Sequence, residues 1–264
     1  MKKTQSLDGA LVTQHCKALR LPSVGLNFQP WAEQAEQRGH GHVQYLEALL
    51  ENEITERENH SIQSRLREAS FPRMKTMEEF DFTKNPMIQV PQIRRLAEGS
   101  FIQKAEPVVF IGDCGTGKTH LMTALCVEAC RKRYRVRFTT ATGLITSLSE
   151  AHNQNQLSKA LAKWLRYDVL AIDEVGYVPF SETSSELLFQ VLAERAERKS
   201  ILLTTNLPFS EWTKVFPNPR LCKALLDRIT DRAHIIETGE DSFRFRRSMN
   251  NKKALLKESK GGTV

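Results

Sequence analysis

Val108-Val109-Phe110-Ile111-Gly112-Asp113-Cys114-Gly115-Thr116-Gly117-Lys118-Thr119-His120 passes from a short apolar segment through a glycine-rich turn into Leu121-Met122-Thr123-Ala124-Leu125. The apolar segment reads as a buried strand and the stretch after the turn as a helix. Between them stands the pattern G-x-x-x-x-G-K-[ST] in full, from Gly112 to Thr119. A strand ending and a helix beginning here aim the loop and first-turn N–H groups at one spot, where the helix dipole also favours negative charge. That spot suits the phosphates of a nucleoside triphosphate. Gly112, Gly115 and Gly117 permit the tight turn, and Asp113, Cys114, Thr116 and His120 complete the predicted nucleotide-binding stretch. Lys118 is placed to reach the β- and γ-phosphates, and the Thr119 hydroxyl to hold Mg²⁺.

Tyr167-Asp168-Val169-Leu170-Ala171-Ile172-Asp173-Glu174 is a second apolar run, ending in two carboxylates. It reads as a buried parallel strand with its acids at the C-terminal edge, where open α/β sheets hold ligands. Such a pair also serves elsewhere as an N-cap and solvated turn. Downstream of a complete phosphate loop, Asp173 reads as a metal-shell residue and Glu174 as the group that polarises an attacking water. Ser200-Ile201-Leu202-Leu203-Thr204-Thr205-Asn206 is a third buried strand, and its terminal Asn206 reads either as a γ-phosphate sensor or as a turn residue before Leu207-Pro208. The order of loop, acidic pair and strand-terminal Asn is that of ATPases with an additional central strand, in which water is the acceptor. A small-molecule kinase is disfavoured.

At 264 residues the chain accommodates a core of about 160–190 residues and one small domain. The start Met1-Lys2-Lys3-Thr4 leads into no apolar h-region, and no apolar stretch reaches membrane-spanning length. Five cysteines form no C-x-x-C pair. Cys126 and Cys130 read as buried thiols rather than metal ligands, and the expected location is the cytoplasm. The net charge is +7, with the basic residues clumped. Arg131, Lys132, Arg133, Arg135 and Arg137 form one cluster; Arg244, Arg246 and Arg247 form another, followed by Lys252, Lys253, Lys257 and Lys260. Basic residues in a last helical turn also suit the helix dipole, but two clusters together predict double-stranded DNA as a partner. Neither has the apolar face that lipid binding needs.

The predicted organisation is a small helical N-terminal domain over residues 1–75, a linker over 76–100, a nucleotide domain over 101–247 and a basic tail over 248–264. In the first domain Leu11, His15 and Leu19 mark one helix. Pro30-Trp31 open a second that Gly39 closes, and Val43, Leu46, Leu50, Ile54, Ile62 and Leu66 stripe a third that ends at Phe71-Pro72. That stripe reads as the domain's own core, with partner docking as the alternative. His40 and His42 flank Gly41 in a turn, and Phe80 and Phe82 stand where aromatics can cover an adenine. Near the C-terminus, Pro219 to Arg232 reads as a helix that leads away from the phosphate loop. Arg228, and Arg232 after it, are candidates to reach a neighbouring subunit's γ-phosphate. Either can instead pair with Asp227, Asp231 or Glu182.

These residues resemble the AAA+ ATPases of the DnaC helicase-loader group, and within it the IstB-like ATP-binding proteins of insertion sequences. The resemblance spans Phe80 to about Arg247. It rests on Gly112–His120, on Val136–Thr140, on the run Asp173-Glu174-Val175-Gly176-Tyr177-Val178-Pro179-Phe180-Ser181, on Leu203–Trp212 and on Leu225–Ile229. It implies a P-loop AAA+ core with a parallel sheet flanked by helices, ATP and Mg²⁺ as ligands, and Arg228 as the trans-acting finger. It also implies an ATP-dependent homo-oligomer or filament on DNA that helps a partner transposase to choose its target. A full helical lid with a second sensor arginine does not fit in the chain after Ile236, and Arg244 stands nearest to that role. A replicative helicase loader and a DNA coat that scarcely turns over ATP are the competing readings.

Overall fold

The computed structural model describes residues 2–239. In chain order its elements are α1 Lys2–Ala18, α2 Pro22–Arg38, α3 His42–Ala69, α4 Val90–Ala97, α5 Ser100–Gln103, β1 Val108–Ile111, α6 Lys118–Arg131, β2 Val136–Thr140, α7 Ala141–Asn153, α8 Leu157–Leu165, β3 Val169–Val175, α9 Glu182–Arg195, β4 Ser200–Thr205, α10 Pro219–Thr230 and β5 His234–Glu237. Two compact units divide between Ser64 and Arg65, N-terminal to the division read from the sequence.

The second unit is built on a five-stranded sheet in the order β2-β3-β4-β1-β5, every neighbouring pair parallel. Parallel neighbours need crossover connections, which α6, the α7–α8 pair, α9 and α10 supply. Strand residues alternate between two apolar layers. Val108, Phe110, Phe138, Val169, Ala171 and Leu202 join Leu121, Met122 and Leu125 of α6 in one layer. Val109, Leu170, Ile172, Ile201 and Leu203 join Leu144 of α7, Leu188 of α9 and Leu225 of α10 in the other. Because both faces are covered, the central strands β1, β3 and β4 carry apolar runs rather than an alternating pattern, while the edge strands β2 and β5 include polar residues. Ala69, Ile88, Ile93 and Leu96 belong to the first layer, so the segment ahead of β1 packs as part of this unit. With all strands parallel, their C-terminal ends share one edge, and β1 reaches it between β4 and β5.

The first unit closes α1, α2 and the start of α3 around Cys16, Val24 and Leu49, with Phe28, Trp31 and Tyr45 packed against them. Two expectations are corrected here. The second helix starts at Pro22, not Pro30: Pro22 takes the first-turn position where no N–H is needed, and Pro30 lies inside the helix. The packing of Phe28 and Trp31 on either side outweighs the breaker. The stripe on α3 is not this unit's core either, since Val43, Leu46, Leu50 and Ile54 are exposed while Leu49 and Glu53 are buried. Polar contacts set this rotation of the helix. The Tyr45 hydroxyl donates to the Phe28 carbonyl at 2.6 Å. The Glu53 carboxylate accepts the Ser23 and Val24 N–H groups at 2.8 and 3.1 Å, capping the start of α2. Burial pushes the Glu53 carboxyl up, but the Arg57 hydrogen bond at 2.7 Å and the two N–H groups prevail and hold it below its ordinary value.

Candidate functional site

The glycine-rich turn joins the C-terminal end of β1 to α6. Gly117 caps α6 at φ 101°, and no side chain caps the helix's first-turn N–H groups. A Cβ on Gly117 would lie 2.7 Å from the Phe80 ring, so this left-handed, close-packed position requires glycine. Phe80 in turn packs on Phe82 at 4.8 Å and edge-on to His120 at 5.0 Å. Phe80, the aromatic expected over an adenine, thus packs against the loop at Gly117. His120 Nε2 lies 2.9 Å from the Thr76 carbonyl, and burial lowers its pKa.

At the loop's other end Thr238 Oγ1 shares a 2.6 Å hydrogen bond with Thr116 Oγ1, and the Asp113 N–H donates to the Gly239 carbonyl at 2.9 Å. The Asn85 side-chain amide donates to the Thr116 and Thr238 carbonyls at 3.3 and 2.8 Å, which ties the loop, the end of β5 and the segment ahead of β1 together. The Lys118 side chain is buried, and its ammonium donates to the Gly112 and Asp113 carbonyls at 2.7 and 2.8 Å, inside the curve of the loop. Cys114 is exposed, with Sγ 2.6 Å from the Tyr177 hydroxyl oxygen.

Asp173 and Glu174 stand at the same edge on β3. Asp173 is 5% exposed and accepts the Thr119 hydroxyl at 3.0 Å as well as the Thr204 hydroxyl. The register between β3 and β4 then slips: Ile172 faces Leu203, but Val175 faces Thr205. Two residues, Asp173 and Glu174, therefore oppose Thr204 alone, which is a β-bulge. The bulge places Glu174 at φ 62° with its side chain exposed. A non-glycine residue in that region costs about 1–3 kcal/mol and persists only where its surroundings hold it. Here the Thr204 hydroxyl oxygen accepts the Glu174 N–H at 2.9 Å.

Asn206 follows β4 directly, and its Oδ1 is buried with no hydrogen-bond partner. Buried polar atoms without partners are rare, and this one lies at the edge where loop and acids meet. The donor set fits a magnesium nucleotide. A lysine and uncapped helix N–H groups suit phosphate, while the hydroxyl of Thr119 and the carboxylate of Asp173 are hard oxygen ligands of the kind Mg²⁺ prefers. The structure brings Lys118, Thr119, Asp173, Glu174 and Asn206 to one sheet edge. Sequence reasoning missed Asn85, Thr204 and Thr238. Only Thr204 left a signal, a hydroxyl residue closing an apolar strand.

The remaining candidates lie elsewhere. Arg228 is exposed near the end of α10, its guanidinium 5.2 Å over the Phe189 ring. Arg232 Nε is 3.5 Å from Asp231 Oδ2. Both line a cavity of about 390 Å³ with Lys104, Lys199, Glu197 and Asp227, beside the N-terminal ends of β1, β4 and β5. That is the edge opposite the chain's own phosphate loop. In the basic cluster, Arg135 pairs with Glu68, and Arg137 donates to the Glu68 carbonyl at 3.0 Å and Ser70 Oγ at 2.6 Å, closing the end of α3. Arg131 pairs with Glu128. Lys132 and Arg133 are exposed in the turn ahead of β2. Arg244, Arg246 and Arg247 lie outside the described residues. Cys126 and Cys130 are buried free thiols whose pKa values burial raises, that of Cys130 to about 12. Among the described residues no helix is long and apolar enough to cross a membrane.

A family model described as IstB-like ATP binding protein matches residues 14–251. A putative insertion sequence ATP-binding protein of Sinorhizobium fredii is 36% identical over 249 residues, covering 94% of this chain and 84% of its own length. The putative ATP-binding protein of insertion sequence IS5376 from Geobacillus stearothermophilus is 35% identical, covering 89% and 94%. Among solved structures, the crystal structure of the DnaC helicase loader aligns with a TM-score of 0.50 at 22% identity, over 56% of this chain and 86% of that one, a likeness of fold.

Proposed function

Since the chain belongs to the IstB-like ATP binding protein family, we propose that it is a magnesium-dependent ATPase that assembles on double-stranded DNA in its ATP-bound form and recruits or activates the transposase of an insertion sequence. The observation that carries this reading is the meeting of Lys118, Thr119, Asp173, Glu174 and the unpartnered Asn206 oxygen at one sheet edge. Lys118 exchanges its loop carbonyls for phosphate oxygens, a charge-assisted and stronger partnership. Thr119 and Asp173 would hold Mg²⁺, which would supply charge neutralisation at the phosphates. Glu174, exposed at the edge, accepts the proton of the attacking water, and Asn206 orients that water against the γ-phosphate. Arg228, on the edge opposite its own loop, serves the site of a neighbouring subunit, where a guanidinium stabilises developing charge. Hydrolysis then releases the assembly, and strand cleavage belongs to the transposase.

The test is co-sedimentation of the purified chain with long linear duplex DNA, with and without ATP, followed by addition of the transposase from the same insertion sequence. ATP-dependent co-sedimentation that retains the transposase, and that Lys118→Ala abolishes, is the expected result. Absence of DNA binding with ATP at low salt rejects the reading. Retention of a replicative helicase in place of the transposase selects the loader reading instead.

A further inference from the structure

We propose that Thr204 is a positioning residue for hydrolysis: its hydroxyl holds the Asp173–Glu174 bulge, and through it the direction in which Glu174 presents its carboxylate. The inference rests on the ATPase reading given above and adds to it a residue that does not touch the nucleotide.

A bulge leaves a backbone group out of the ladder, because two residues face one. The unsatisfied group here is the Glu174 N–H, and the atom that accepts it at 2.9 Å is Thr204 Oγ1. The same hydroxyl spends its proton on Asp173 Oδ1. One buried side chain, 1% exposed, therefore binds two consecutive residues of the neighbouring strand, as acceptor to one and donor to the other. Serine can do both, whereas valine, of nearly the same shape, can do neither. Without the hydroxyl the Glu174 N–H is an orphaned donor, and the left-handed backbone at Glu174 loses the contact that holds it. Asp173 keeps its second donor, Thr119 at 3.0 Å, so the metal-holding pair survives the change. The consequence falls on the placement of Glu174 and leaves nucleotide binding largely intact.

The experiment compares Thr204→Val, Thr204→Ala and Thr204→Ser, each alone and combined with Glu174→Gln, in the full chain. ATP turnover, equilibrium binding of a non-hydrolysable ATP analogue, and hydrogen exchange of the segment 170–176 are measured on every variant. The account expects turnover in Thr204→Val and Thr204→Ala to fall about 10- to 100-fold, the usual effect of removing a supporting partner, with analogue affinity within about threefold of wild type. Thr204→Ser should recover most of the turnover. In the Glu174→Gln background the valine and alanine changes should add no further loss, because they act through the group already removed. Exchange should quicken at Glu174 in Thr204→Val and Thr204→Ala and stay slow in Thr204→Ser. Wild-type turnover in the valine and alanine variants, equal loss in all three, or an additive loss on Glu174→Gln overturns the proposal. The exchange arm needs no hydrolysis. A wild-type protein that binds the analogue without turning over ATP would sink the ATPase reading, while exchange that Thr204→Ala leaves unchanged would sink the hydrogen-bonding role. Thr204→Ala, which introduces no new bulk, keeps the test open should the valine variant fail to fold.

Discussion

Replacing Arg228 by Ala, on an exposed stretch of α10, removes a guanidinium that among the described residues stacks 5.2 Å over the Phe189 ring. An exposed cation–π contact contributes about 0.5–1 kcal/mol, so the variant should fold with nearly the stability of wild type. The loss of turnover should be far larger. Arginine fingers contribute a factor on the order of 10³ or more, which corresponds to about 4 kcal/mol of transition-state stabilisation. Among the described residues, Arg228 lines the cavity at the N-terminal edge of the sheet while the phosphate loop stands at the other edge, out of reach of its own subunit's phosphates. On the proposed reading, that energy comes from a neighbour's γ-phosphate. The assay is subunit mixing. Arg228→Ala subunits keep a complete loop, and Lys118→Ala subunits keep Arg228, so if the proposal holds, mixtures should recover hydrolysis that neither shows alone. If mixtures co-assemble on DNA yet give only the summed activity of the two variants, Arg228 does not act in trans. The Phe189 contact would then be its role.

Glu53 predicts a pH effect. Its folded pKa is held below the ordinary value, so its capping contribution is present above about pH 4.5 and is lost as pH falls through the lower folded value. Glu53→Gln should weaken α2 by about 1.5–3 kcal/mol at neutral pH, read as faster amide exchange at Ser23 and Val24, and the difference from wild type should shrink below pH 4; a gap that stays constant down to pH 3 would count against the cap. In the basic cluster, Lys132→Ala and Arg133→Ala should each lower the slope of log affinity for DNA against log salt by about one, and Lys132→Ala should keep stability within about 0.5 kcal/mol of wild type. Arg135→Ala should instead lower stability by about 1–3 kcal/mol, since its guanidinium is engaged with Glu68. Unchanged salt slopes in the first two variants would remove this surface from the DNA contact.

The nucleotide edge was legible because its chemistry is local. A loop of fixed spacing between strand and helix, and polar residues that close two buried runs, announce their positions in one dimension, and the fully parallel sheet places them together. What escaped the sequence depends on pairing between strands. Nothing in the run Asp173-Glu174-Val175 marks a register slip, which arises only when β3 lies beside β4 with Thr204 opposite. Asn85 and Thr238 are likewise distant in sequence and meet the loop only through the fold. In the N-terminal unit the stripe of α3 misled because periodicity locates an apolar face without saying which face packs, and here a buried carboxylate and a tyrosine hydroxyl decided it. The cations of residues 131–137 read as one patch, yet Arg135 and Arg137 reach back to the end of α3.

The most direct measurement of the central claim is the pairing of ATP affinity with ATP turnover in Glu174→Gln, in the presence of duplex DNA and Mg²⁺. Removing the carboxylate proposed to accept the water's proton while leaving Lys118, Thr119 and Asp173 in place should keep binding near the wild-type value. Phosphate release should fall by about 10²- to 10⁴-fold, leaving the DNA-bound assembly long-lived. Turnover equal to that of wild type, or loss of ATP binding together with turnover, would contradict the role of Glu174 and with it the proposed chemistry of the site.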